Sequence, residues 1–127
     1  MKKEIIIVFL ILLVVIVMNM ITRKYTDKIV EDMLGELPNL RENVIIEDYD
    51  KAEEKIKNIN EKWEKVSGIL VVYIEHLDIE KAENYIVETK SYIETKERNI
   101  AVRSIDALEF ALENIKDKYK FTLKNIF

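Results

Sequence analysis

The sequence predicts an all-α protein in which a single N-terminal transmembrane helix is followed by an up-down-up antiparallel three-helix bundle. Three observations lead there. Residues 1–21 hold 17 apolar side chains and one acid. Beyond them, apolar residues recur at alternating steps of three and four along three stretches, the repeat of one helix face. Finally, the links between those stretches are short, which makes sequential helices antiparallel neighbours. The expected divisions are an anchor at residues 1–22, a membrane-proximal helix with connector at 23–49, and a helical bundle with an apolar C-terminal tail at 50–127.

Ile5 opens an unbroken apolar run of 14 residues that ends at Met18 and resumes with Met20 and Ile21. At about 1.5 Å per residue those 17 positions span roughly 25 Å, the short edge of a membrane crossing. Lys2 and Lys3 before the run, and Arg23 and Lys24 after it, can extend their charged heads to the lipid headgroups. A cleaved signal peptide has a similar start, but cleavage needs small residues, and Met18-Asn19-Met20-Ile21-Thr22 offers none. The expectation is therefore a retained membrane anchor. Its very short N-terminal tail favours an extracytoplasmic bundle. Asn19, near the end of the run, is read as an interfacial, solvated residue.

Past the anchor, Tyr25, Ile29 and Met33 continue a helical stripe that Gly35 and Pro38 are expected to stop. Residues 36–49 then read as a connector carrying the apolar knot Val44-Ile45-Ile46. Asp50 with Glu53 resembles a capping pair. From there Ala52, Ile56, Ile59, Trp63, Val66, Leu70, Tyr73 and Leu77 form a seam longer than three heptads. The hexamer Ile69-Leu70-Val71-Val72-Tyr73-Ile74 follows Gly68 and is apolar on every side. It predicts the buried middle of a helix with neighbours on several faces.

Asp78 reads as the next N-cap, ahead of Ile79, Ala82, Ile86, Thr89 and Ile93. The last stripe is Ala101, Ile105, Leu108, Leu112, Ile115 and Tyr119. The first of the three bundle helices is the longest, so Ala52, Ile56 and Ile59 should overhang the next and need cover. The connector's Val44-Ile45-Ile46 is the expected source.

Composition narrows the function. After the first 21 residues the chain has 18 Lys and Arg against 23 Asp and Glu, an acidic balance that argues against binding nucleic acid. Such charge would be repelled by anionic lipid, so the bundle is expected to stand off the membrane, with Arg23, Lys24 and Lys28 at the base of its stalk. With no Cys, one His and two Gly, the sequence predicts no cofactor, no metal site and no phosphate-binding loop. His76 lies beside Glu75 and Asp78, but a lone His at a helix end is explained by the helix dipole. The acid pairs Glu80 with Glu83 and Glu109 with Glu113 read as solvated faces, and Ser67, Ser91 and Ser104 have no nucleophile motif around them. The prediction is a protein that is not an enzyme.

Phe110 lies off its apolar stripe and marks a candidate contact surface. The tail, with Phe121, Leu123, Ile126 and Phe127, stays apolar where chains usually turn polar and fray. It either folds back over the bundle end near His76 or docks on a partner.

From Trp63 onward the chain resembles a bacterial family of small membrane-anchored proteins, domain of unknown function 4363. The resemblance rests on Trp63, on Tyr73-Ile74-Glu75-His76 leading into Asp78-Ile79-Glu80-Lys81, on Ser91-Tyr92-Ile93-Glu94-Thr95-Lys96, and on the ending Phe121-Thr122-Leu123-Lys124-Asn125-Ile126-Phe127. It implies an anchored helical domain without known activity, and suggests work beside larger multispanning membrane proteins of spore-forming bacteria. The expected partners are thus membrane lipid through the N-terminal helix and a membrane protein for which this chain is an accessory or scaffold. A bitopic coiled coil of the cell-division type, forming a homodimer through the Ala52-to-Leu77 seam, is the alternative.

Overall fold

The computed structural model describes residues 1–126, with side chains through Asn125. Four helices follow one another: α1 (Lys2–Ile45), α2 (Tyr49–Tyr73), α3 (His76–Glu94) and α4 (Arg98–Ile126). Each packs against its neighbours in sequence, and α1 closes the ring on α4. The all-α class and the long apolar first helix match the sequence reading. The bundle, however, has four helices rather than three.

The fourth is the outer half of α1, which runs through Gly35 and Pro38 without ending. A Pro inside a helix costs about 3 kcal/mol and a Gly about 1. Against this, α1 buries Met33, Leu37, Leu40 and Val44 completely, each side chain contributing roughly 1.5–3 kcal/mol as an upper estimate. Burial outweighs the two breakers. Both breakers also face solvent, so neither disturbs the packed stripe. The expected connector is therefore mostly helix. Its Val44, with Leu37 and Leu40, covers the seam of α2, whereas Ile45 and Ile46 stay exposed.

Asp48, not Asp50, caps α2, its carboxylate accepting from the Lys51 amide at 3.3 Å. The seam of Ala52, Ile56, Ile59, Trp63, Val66 and Leu70 is buried throughout, Trp63 at its centre. α2 ends at Tyr73 because Ile74 turns extended, at ψ 145°. Leu77 consequently belongs to α3 and is exposed. The apolar hexamer is the last turn of α2 rather than a buried middle: Leu70 and Ile74 are buried, and Val71 and Val72 face out. Glu75 takes the N-cap position of α3, and Asp78 lies inside its first turn.

The two turns far from the apolar segment share one geometry. After α1, the Asp48 amide donates to the Asn43 carbonyl and the Glu47 amide to that of Val44; after α3, Glu97 donates to Tyr92 and Lys96 to Ile93. These are Schellman closures, which place one residue in the left-handed region. Here those residues are Glu47 (φ 62°) and Lys96 (φ 57°), not glycines. Arg98 ties the turns together, donating to the Ile45 carbonyl at 3.4 Å.

Ion pairs fix the helix register. Arg41 meets Asp106 at 3.1 Å and Lys116 meets Glu31 at 3.5 Å, so α4 descends α1 residue for residue. Lys62 bonds Glu36 at 2.6 Å and sets α2 the same way. Between α3 and α4, the hydroxyls of Thr89 and Ser104 lie 2.6 Å apart in the core, and each satisfies the other where water is excluded.

Candidate functional site

The C-terminal stretch expected to be a separate tail is the continuation of α4. Its residues divide by face. Leu123 is buried, and Phe121, two positions earlier, is 67% exposed. The Ile126 side chain and Phe127 lie outside the described residues. The stretch does not fold over the bundle end. It runs straight down beside α1, towards the apolar segment.

There α1, α2 and α4 enclose a cleft of about 380 Å³, lined by Ile16, Asn19, Met20, Thr22, Arg23, Tyr73, Tyr119 and Leu123. Its lining is mixed along α1. Thr22, Arg23 and Asn19 supply polar atoms, while Ile16, Met20 and Leu123 are apolar. The Tyr73 and Tyr119 rings meet edge to face, centroids 5.5 Å apart and planes at 71°, a favoured aromatic arrangement. Burial pushes the Tyr119 phenol above its ordinary pKa. Nearby, burial raises the Asp27 carboxyl, with Arg23 and Lys120 opposing it. On the neighbouring corner Lys118 bonds Asp78 at 2.6 Å, and that hydrogen bond raises the lysine's pKa.

Sequence reasoning named Leu123 and Phe121 but missed the cleft. By sequence Tyr73 and Tyr119 belong to core stripes, and Asn19 reads as an interfacial, solvated residue. Only the unbroken course of α1 together with the register of α4 brings them together.

Phe110 is 74% exposed and borders a groove of about 120 Å³ between α3 and α4, shared with Asp78, Lys81, Tyr85, Ala111 and Asn114. It lies on a different face of α4 from Leu123, so the predicted contact residues do not form one patch.

His76 begins α3 rather than ending α2, so the dipole argument reverses, since a helix N-terminus disfavours a cation. Its Nε2 lies 2.9 Å from a Glu80 carboxylate oxygen, and both side chains are exposed. Among the described residues no group of three His, Cys, Asp or Glu converges on a point that could hold a metal. Glu80, Glu83 and Glu113 lie on exposed faces and Glu109 is half-buried. Ser104 is a core hydrogen-bonding group.

The model of the family described as Domain of unknown function (DUF4363) matches residues 20–126. The chain belongs to this family. The DUF4363 match begins as the apolar run ends and takes in the outer half of α1 with all of α2 to α4, so the family's unit is the four-helix bundle. It includes the cleft residues from Met20 to Leu123. No curated protein and no solved structure matches the chain.

Proposed function

We propose that this DUF4363 protein is a single-span protein of the bacterial cell membrane, its bundle extracytoplasmic, serving as a non-catalytic accessory or scaffold subunit of a membrane protein assembly. One observation carries the reading. α1 holds an 18-residue window of mean hydropathy 3.2, none of it buried within the chain. Apolar surface of that extent is stable only against lipid or another apolar surface. The continuity of α1 with the bundle makes the span and the folded domain one rod. His76, the residue with the best claim to chemistry, is exposed and paired with Glu80, and the acidic balance of the bundle does not suit nucleic acid.

Homodimerisation through the α2 seam loses support, because Ala52, Ile56, Ile59, Trp63, Val66 and Leu70 are already covered within one chain.

Two measurements test the proposal. Alkaline extraction of membranes is expected to leave the chain in the pellet with its first 21 residues intact; a soluble, shortened form would overturn the anchor. Photocrosslinking from position 110 in intact cells is expected to trap one membrane protein, and crosslinks confined to a second copy would replace the accessory role by self-assembly.

A further inference from the structure

The membrane-facing end of the bundle exposes apolar side chains, as the far end does at Ile45, Ile46 and Ile100, but it differs from the rest of the surface in charge. Val71, Val72, Leu77 and Phe121 are all exposed, and the ion-pair register places them close to one level along α1. Continuing down α4 from Lys116 opposite Glu31, Phe121 comes level with about residue 26 and Leu123 with about residue 24, since antiparallel helices share one rise per residue. Continuing down α2 from Lys62 opposite Glu36, Val72 also comes level with about residue 26. Leu77 adjoins Asp78, whose partner Lys118 sets it near residue 28 by the same measure.

Bilayer dimensions give that level a meaning, on the reading above that α1 spans a membrane. A hydrocarbon core of about 30 Å takes about 20 helical residues, which from Ile5 reaches about residue 24. The headgroup layer adds about 5–7 Å, reaching about residue 28 or 29. The exposed apolar rim falls inside that layer, and the last turns of α4 reach its lower boundary.

Charge follows the same division. Residues 22–28, 71–78 and 118–126 carry six Lys and Arg against three acids, whereas residues 29–70 and 79–117 carry 12 against 20. A net positive end on a strongly acidic body is complementary to anionic headgroups and repels them everywhere else. Lys120 and Lys124 lie on either side of the exposed Phe121 in sequence, cations able to extend to headgroups beside an apolar side chain.

We propose that the base of the bundle is a lipid-binding surface, seated in the headgroup layer of an anionic bilayer, with Val72, Leu77 and Phe121 entering the boundary between headgroups and acyl chains. The bundle is docked on the membrane rather than held off on a stalk. This replaces the repulsion that its overall charge suggests with a local attraction that its charge distribution creates.

The chain has no Cys, so single Val72→Cys, Leu77→Cys and Phe121→Cys variants of the full-length protein can each carry one spin label. All three sites are exposed, which keeps the label out of the core. The proteins are placed in vesicles of phosphatidylethanolamine with phosphatidylglycerol, and power saturation compares contact with oxygen, which partitions into lipid, and with a water-soluble nickel chelate. Ile46→Cys, exposed at the far end, reports water, and Leu12→Cys reports the span. Expected is a loss of nickel contact and a gain of oxygen contact at 72, 77 and 121 relative to 46. Nickel contact at all three equal to that at 46, with position 12 protected, would overturn the seating and leave the span intact. Nickel contact at position 12 would overturn the span and this inference with it.

Discussion

Leu40→Ala separates a four-helix bundle from a three-helix bundle with a connector. In a connector, residue 40 would tolerate truncation within about 0.5 kcal/mol, as surface positions do. In the structure Leu40 is fully buried on the face that α1 turns toward the core, in line with Leu37 and Val44. Truncating a Leu so enclosed removes its transfer free energy and leaves a cavity that neighbouring helices fill incompletely, for about 3–5 kcal/mol in total. The bundle is about 100 residues long, for which each kcal/mol moves the melting point by roughly 4 °C. A fall of about 12–20 °C is therefore expected. The assay is thermal unfolding of the full chain in detergent, followed by circular dichroism, with Asn39→Ala as an exposed neighbour that shares the same turn of helix. Equal melting points for the two variants would refute the placement of α1 in the core.

Three further outcomes follow from local geometry. Gly35→Ala and Gly68→Ala should each stabilise by about 1 kcal/mol in denaturant titration, because both are helical and a Cβ at either meets no atom within 4 Å. Lys96→Gly should raise stability by about 0.5 kcal/mol in the same titration, relief of the left-handed strain at φ 57° exceeding the added freedom of the unfolded chain. Asp27 titrates above the ordinary carboxylate value because it is partly buried, so the folded state holds its proton more tightly than the unfolded state does. Stability should then fall as pH rises through the window just above that ordinary value. Asp27→Asn should flatten the fall and leave the protein more stable at neutral pH, as read from denaturation midpoints between pH 3 and 7.

The helices legible in the sequence were those whose local signals agreed with their packing. In α2, α3 and α4 the apolar period gives the buried face from Ala52 to Leu70, Ile79 to Ile93 and Ala101 to Tyr119, while the ends are less legible: the α2 seam reads on to Leu77, past the break at Ile74, and α4 continues through the expected tail. The outer half of α1 was misread because its signals conflict. Gly35 and Pro38 are strong local terminators, while Met33, Leu37, Leu40 and Val44 keep a helical period straight through them. Propensity terms of a few kcal/mol lose to the burial of four large side chains, but only once α2 and α4 exist to bury them. A stripe that persists across a Pro is thus the better guide when the Pro lies off the stripe, as Pro38 does.

The cleft at the base illustrates a different limit. Its residues come from Ile16 to Arg23, Tyr73, Tyr119 and Leu123, three segments whose proximity depends on register rather than on composition. Register in turn is set by pairs such as Arg41 with Asp106 and Lys62 with Glu36, each of which is one of many possible matches in a chain with 20 cations and 24 acids. Such half-exposed ion pairs add little to stability. Their consequence is positional: sliding α4 by one turn would shift Phe121 and Leu123 by about 5 Å, close to the full depth of a headgroup layer. Whether the apolar end of α4 meets lipid therefore depends on which Arg and Asp face each other some 20 Å higher up the bundle, and charge-reversal at Arg41 and Asp106 together should preserve that depth where either reversal alone weakens it.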